Sequence, residues 1–208
     1  MNIDERHRKE ILRFLLLKTA AVRGGIKPGE LLRVRHCYKS RNPEGFQFCL
    51  YRNDILRILQ LHYLELRVEQ NSSLVLFYHP ETLAETLSVR ENQEVLNRCG
   101  YPESGGMEAM LDRLLKRFSE EKFPHEIGIF IGYPAKDVSG FIANLPRTPV
   151  HKGAWAVFGD ASESVRRMRF YLNAEGVAEK ILNGCNDLQT FYKLTSNLNI
   201  TKGVWQNG

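Results

Sequence analysis

The chain has 208 residues with a formal net charge of +5, and 43% of its residues are hydrophobic. A chain of this length buries roughly 70% of its unfolded surface around one core, so we expect a single domain over residues 1–208. No stretch approaches the ~18 consecutive apolar residues of a membrane span, and the short N-terminal apolar run lacks a cleavage site. These features argue against an integral membrane protein and favour a soluble, cytoplasmic one. Within the domain we expect a helical, basic part at 1–62, an α/β core at 63–172 and C-terminal helices at 173–200.

The excess of positive over negative charge lies in the first third of the chain. Residues 1–70 contain 14 Lys and Arg against 8 Asp and Glu, whereas residues 71–208 contain 15 against 16. The densest part is Arg33–Arg41 (RVRHCYKSR), a basic segment that suits phosphates or an acidic partner. Because no nucleic-acid motif accompanies it, a solvated basic face is the preferred interpretation, and we do not expect nucleic-acid binding.

The four cysteines are widely spaced along the chain: Cys37, Cys49, Cys99 and Cys185. They form no CxxC pair, so neither a disulfide framework nor a structural zinc site is expected. Buried free thiols are the preferred interpretation. No metal site is predicted, and the cofactor, if there is one, is not identified by the sequence.

The predicted elements begin with an amphipathic helix that ends at the Gly-Gly pair 24–25. The segment Gly24–Leu32 (GGIKPGELL) then predicts a turn. Residues 46–61 contain a short strand or helical start and then a helix, with bounds that stay open. Leu64–Val68 and Leu74–Tyr78 are β-rich runs joined by a polar segment, which predicts a hairpin.

Helices and two buried strands are predicted in the middle of the chain. The helices are Glu81–Leu87, Arg90–Cys99 and Met107–Phe118. Ile127–Gly132 (IGIFIG) is a continuous apolar run, typical of a strand that is buried on both faces. Pro134 favours the start of the next helix. Ala154–Asp160 (AWAVFGD) predicts a second buried strand, followed by a helix to about Leu172.

Three segments repeat one pattern, in which an apolar strand ends in a small turn and leads into a helix. They are LVLFYHPETL (74–83), IGIFIGYPAKDV (127–138) and AWAVFGDASESV (154–165). This pattern is typical of an α/β sheet with some parallel strands. We therefore predict an α/β fold with one mixed sheet of about four or five strands, flanked by helices, with helices at both ends of the chain.

The turns after these strands carry the candidate ligand-binding residues. If the strands are parallel, their carboxyl ends share one edge of the sheet, where open α/β folds bind ligands. Glycines and free helix N-termini at that edge suit an anion. The alternative is that these residues only form turns and caps. The predicted site consists of His79, Gly132, Tyr133, Lys136, Asp137, Gly159 and Asp160.

The neighbours His125 and Glu126 are candidate catalytic residues, because a histidine beside a carboxylate can act as base and orienter. On a strand the two side chains would point to opposite faces, which weakens the hypothesis. A histidine that caps a strand or satisfies a buried backbone group is the preferred alternative.

Several motifs resemble, in order, a family of small bacterial proteins of unknown function that is common in anaerobic Gram-positive bacteria. They are GGIKPGELL, SLVLFYHPETL, CGYP, FPHEIGIFIGYPAKDVSGFI and GAWAVFGD. The resemblance spans about residues 20–172, and the FPHEIGxFxGYPxxDVxGF block is its specific part. In that family a lysine usually stands where this chain has Ala156, so no role is transferred to that position. The resemblance implies a single cytosolic domain and implies no activity.

The leading functional hypothesis is a binding or regulatory protein for a small anionic ligand or cofactor at the carboxyl-end edge of the sheet. One alternative is an enzyme with His125 and Glu126 as its acid–base pair. Another is an interaction protein that uses Arg33–Arg41. The sequence leaves open the ligand, any reaction and the oligomeric state.

Overall fold

The structure, a computed structural model, describes residues 3–35, 53, 56–70, 72–120, 122–143, 148–185 and 190. Its helices are α1 Ile3–Lys18, α2 Ala20–Arg23, α3 Pro80–Ser88, α4 Arg90–Arg98, α5 Gly106–Phe118, α6 Ile127–Phe130, α7 Ala135–Ile142 and α8 Ser162–Gly184. Its strands are β1 Gly29–Arg35, β2 His62–Val68, β3 Ser72–Tyr78, β4 His151–Lys152 and β5 Ala156–Val157. None of the helices in these ranges is long and apolar enough to cross a membrane.

The larger sheet has three antiparallel strands in the order β1-β3-β2. The predicted hairpin is confirmed as β2 and β3. β3 is the central strand, and all seven of its residues are buried, because it has a neighbour on each edge and helices over each face. The turn predicted at Gly24–Leu32 gives way to β1 from Gly29 onwards. Leu32 and Val34 are buried and Arg33 between them is exposed, which is the alternation of a strand. The basic residues in this segment hide that alternation in the sequence.

Two apolar cores cover the two faces of this sheet. On one face, Val75 and Phe77 of β3 pack with α1, α2 and the end of α8. On the other face, Leu74, Leu76 and Tyr78 pack with residues of α3 to α7. The alternation of side chains along β3 therefore divides the helices into two layers, and the α6–α7 region belongs to the second.

The strand predicted at Ile127–Gly132 is wrong, because this run forms the short helix α6. Its first turn is closed by bonds such as Ile129 N to Glu126 O at 3.0 Å, and Ile131 N donates to Ile127 O at 3.2 Å. A continuous apolar run of this short length suits a buried helix as well as a buried strand. α6 lies close to the sheet, since a Cβ on Gly29 would be 2.8 Å from Phe130 O.

The second predicted buried strand, Ala154–Asp160, is reduced to the two residues of β5, which pair with β4 in a small antiparallel sheet. The α/β class and the terminal helices are confirmed. Within the described residues, however, the strands form two antiparallel sheets of three and two strands, not one mixed sheet. The shared carboxyl-end edge is therefore wrong, because the sheets that should provide it contain no parallel pair.

Candidate functional site

The carboxylate of Asp137 joins three separate parts of the chain. Asp137 lies in the first turn of α7 and is only 2% exposed. The carboxylate accepts hydrogen bonds from Trp155 Nε1 at 2.8 Å, Phe158 N at 2.9 Å, Ser164 Oγ at 2.6 Å and Lys136 Nζ at 2.7 Å. It thereby fixes α7 to the segment around β5 and to the first turn of α8. We call these five residues the Asp137 network.

The network keeps Asp137 ionised. Burial would raise the pKa of the Asp137 carboxyl, but the hydrogen bonds from Lys136, Ser164 and the Phe158 backbone outweigh it and hold the pKa below its ordinary value. A buried carboxylate that accepts several hydrogen bonds is stabilised in its charged form.

Lys136 is part of the same network and has no donor left for a ligand. Its ammonium group donates to Asp137 Oδ1 at 2.7 Å, Phe158 O at 3.1 Å and Ser164 Oγ at 2.9 Å. A lysine has three N–H donors, so these bonds use all of them. Its charge is also balanced by the Asp137 carboxylate, which makes Lys136 a structural cation.

The turn between α6 and α7 is held by aromatic contacts. Gly132 has φ +83°, and a Cβ there would be 2.5 Å from the hydroxyl of Tyr171. That hydroxyl donates to Gly132 O at 3.1 Å, and Arg167 Nη1 donates to the same oxygen at 3.2 Å. Tyr133 stacks on Trp155, with 4.3 Å between ring centroids. Gly132 and Tyr133 therefore have clear packing roles.

The other predicted site residues lie at helix starts or in turns. His79 is the N-cap of α3, where its ring accepts from Thr82 N at 3.4 Å. Asp160 precedes α8, and its carboxylate accepts from Ser162 N at 3.1 Å and Ser162 Oγ at 2.7 Å, which lowers the pKa of Asp160. Gly159, with φ +71°, forms the turn before it. The structure thus brings Lys136 and Asp137 close to the 158–160 turn, whereas His79 caps a helix elsewhere.

The structure separates the contacts of His125 and Glu126. Glu126 is 2% exposed and accepts from Arg117 Nε at 2.7 Å and Tyr101 Oη at 3.4 Å. The exposed ring of His125 instead lies against Phe123 and Phe141, with 5.5 Å and 4.9 Å between centroids. The two side chains are not brought together as an acid–base pair. Burial, and then the charge of Glu126, raise the pKa of Tyr101, which favours its neutral form.

In the part of the chain that the structure describes, two cavities that adjoin α7 stand out. The larger, about 970 Å³, lies between α4, α7 and the segment 148–159, and we call it the α4/α7 cavity. The smaller, about 300 Å³, is lined mainly by aromatic and aliphatic side chains of 123–141 and 155–156, and we call it the aromatic cavity. The α4/α7 cavity includes Arg98 and Lys136, and the aromatic cavity includes His125 and Tyr133. In the described ranges, no three His, Cys, Asp or Glu residues are placed to hold a metal ion together.

Residues 15–192 match the model of a protein family described as "Protein of unknown function (DUF3793)". The chain belongs to this family. Its expected membership of a family of unknown function is therefore confirmed. No curated protein and no solved structure matches the chain.

The part of the chain that matches DUF3793 contains the whole Asp137 network and the lining of both cavities. Two residues important to this region are absent from the site predicted from sequence. Arg98 ends α4, and its Nη2 donates to Ser139 Oγ on α7 at 3.1 Å. Trp155 is 8% exposed and forms a wall of the aromatic cavity. The sequence offered one signal for Trp155, because the chain has only two tryptophans.

Proposed function

We propose that this protein binds a small organic anion with an apolar body in the α4/α7 cavity. The observation that carries the proposal is the combination of a cavity of about 970 Å³ with an arginine in its lining. Ligand pockets in proteins typically have volumes of roughly 300–1,000 Å³ and apolar walls with few polar groups. This proposal keeps the anionic ligand expected from the sequence and changes the residues that bind it.

Arg98, and not Lys136, is the cation that we assign to the ligand. The guanidinium of Arg98 is exposed and has five N–H donors, of which one bonds Ser139 Oγ. Its planar donors suit a carboxylate, sulfonate or phosphate, which it can bind through two parallel hydrogen bonds. Lys136 contributes a wall, because its donors are already engaged by the Asp137 network.

The rest of the lining suits an apolar ligand body. Val95 and Phe158 provide buried or half-buried apolar surface, and Ile142 and Val150 are 39% and 62% exposed at the cavity. Large exposed aliphatic side chains that face one cavity support a binding role, because a ligand would remove their surface from water. An amphipathic anion satisfies both parts of this lining.

A titration with 2-naphthalenesulfonate tests the proposal. We expect saturable binding by the wild-type protein and about tenfold weaker binding by Arg98→Ala, since a hydrogen bond to a charged group contributes about 1.5 kcal/mol at an exposed site. Isothermal titration calorimetry measures both affinities. Arg90→Ala is the matched control, because Arg90 lies on the same helix and its side chain is 89% exposed.

Binding that is equally strong in the wild-type protein and in Arg98→Ala would show that the α4/α7 cavity is the wrong site. A parallel loss in Arg90→Ala would show that only general surface charge attracts the anion. Retention in Arg90→Ala together with loss in Arg98→Ala supports the proposal.

The two alternatives from the sequence gain no comparable support. The contacts of His125 and Glu126 diverge, so no reaction is assigned to them. Arg33 of the basic segment pairs with Glu69 and donates to Ser72 Oγ at 3.1 Å. Residues 36–41 of that segment lie outside the described residues, so an acidic partner there stays a prediction.

A further inference from the structure

The aromatic cavity lies on the opposite side of α7 from the α4/α7 cavity. Asp137, Val138 and Phe141 line the aromatic cavity, and helical spacing places them on one face of α7. Lys136, Ser139 and other residues that line the α4/α7 cavity occupy the other face. The two cavities are therefore separate sites on opposite faces of α7.

One wall of the aromatic cavity is rigidly placed. The indole of Trp155 stacks on Tyr133 with an interplanar angle of 23° and a centroid distance of 4.3 Å. Its Nε1 also donates to Asp137 Oδ2 at 2.8 Å, which fixes the orientation of the ring. A ligand that packs on a fixed ring orders few side chains when it binds, and this lowers the entropic cost of binding.

Large aromatic side chains at the mouth of the aromatic cavity are exposed to solvent. Phe123 is 43% exposed and Phe141 is 51% exposed, and the ring of His125 contacts both. Exposed aromatic rings grouped around a cavity are typical of a binding site, because a bound group would cover them.

The lining of the aromatic cavity favours a neutral ligand. Among the described residues that line it there is no lysine and no arginine. The one carboxylate, that of Asp137, already accepts four hydrogen bonds and is paired with Lys136, so the lining offers an anion no free cation. Affinity must therefore come from burial of apolar surface and from contacts between rings.

We propose that the aromatic cavity binds a neutral, planar aromatic molecule of one or two fused rings. Its volume of about 300 Å³ sets the size. A dry engineered cavity of about 150 Å³ holds benzene, so a volume of this kind holds a bicyclic ring system. The ligand stacks beside Trp155 and Tyr133 and covers the exposed rings of Phe123 and Phe141.

Titration with 6-fluoroindole, followed by ¹⁹F NMR, tests this site in the full chain. We expect saturable binding by the wild-type protein. Phe141→Ala removes one aromatic partner at the mouth and should weaken binding about threefold to tenfold. Ala156→Phe places a ring in the cavity and should abolish binding. Phe14→Ala is the matched control, because Phe14 is 42% exposed on α1, outside the cavity lining.

An absence of saturable binding by the wild-type protein would overturn the proposal, and so would equal affinities in the wild type, Phe141→Ala and Ala156→Phe. If Ala156→Phe does not fold, Phe141→Ala decides, because its exposed side chain contributes little to the core. Arg98→Ala should bind 6-fluoroindole as the wild type does. If Arg98→Ala and Phe141→Ala lost the same affinity for 6-fluoroindole, a separate neutral site would be contradicted. If only the anion proposal failed, binding of 6-fluoroindole would be unchanged.

Discussion

Asp137 shows how one buried side chain can hold three parts of a chain together. Its neighbours in space, Trp155, Phe158 and Ser164, come from residues 18 to 27 positions later. If the carboxylate were removed, the Trp155 Nε1 donor would lose its acceptor in a buried environment and the Phe158 N donor would lose its acceptor in a half-buried one. Each unsatisfied buried group costs about 1–3 kcal/mol, so the network is a strong determinant of how α7 packs.

The pH dependence of stability should report on this carboxylate. The folded-state pKa of Asp137 lies below the ordinary value of 3.8, so its contribution is fully present above pH 3.8 and is lost as the pH falls through the folded-state pKa. Asp137→Asn should therefore lower the free energy of unfolding at pH 7. The difference from the wild type should shrink below pH 3.8. Urea unfolding at several pH values measures it.

Asp112→Asn is the control for this experiment, because Asp112 is exposed on α5 and contributes no buried network. A difference between wild type and Asp137→Asn that stays constant through the acid range would mean that the charge of Asp137 does not stabilise the fold. The hydrogen-bond geometry alone would then account for the loss.

Among the helices and strands, those with long amphipathic patterns were predictable. The predicted helix Met107–Phe118 is confirmed as α5, with Met110, Leu111, Leu114 and Phe118 buried. The short run Ile127–Gly132 was not predictable, because its apolar residues carry no period that separates a helix from a strand. α8 extends to Gly184, beyond the predicted end near Leu172. Its later buried positions include the small residues Ala174 and Ala178, which give a weak apolar pattern.

The candidate site was predictable only in part, because it depends on contacts between residues that are far apart in the chain. Lys136 and Asp137 do lie near the 158–160 turn, but helix packing brings them there and not a shared strand edge. The role of Lys136 as a structural cation depends on three acceptors, of which Phe158 O and Ser164 Oγ lie far along the chain. The spacing of residues in the sequence does not show that these distant groups come close together in the fold. The use of the predicted residues in ligand binding stays a prediction.

Replacement of two helical glycines by alanine should change the stability of the protein in opposite directions. A Cβ on Gly140 of α7 would lie 2.6 Å from Phe158 Cγ, so Gly140→Ala should overpack this contact and destabilise by about 1–3 kcal/mol. A Cβ on Gly176 of α8 meets nothing within 4 Å, so Gly176→Ala should stabilise by about 0.5–1 kcal/mol. Urea unfolding of both variants measures the difference. Equal shifts in the two variants would contradict the close approach of α7 to Phe158.

Across the whole molecule, the three-stranded sheet lies between two apolar cores, and the C-terminal helix belongs to the same core as the N-terminal helix. α8 packs against α1 and α2, and Lys18 pairs with Glu175 at 2.5 Å. Both side chains of that pair are at least 36% exposed, so the pair contributes little to stability. Burial of apolar residues near the end of α8 must therefore supply most of the attachment.

Leu182 tests this attachment of the C-terminal helix. It is 3% exposed and belongs to the same apolar core as Leu15 and Leu16, so Leu182→Ala should destabilise the protein by roughly 2–5 kcal/mol, from lost apolar burial and the cavity left behind. Leu172 lies on the same helix but is 63% exposed, so Leu172→Ala should change stability by no more than about 0.5 kcal/mol. Urea unfolding midpoints compare the two. Similar small effects would show that the end of α8 is not part of the core and that the sheet face under α1 is closed without it.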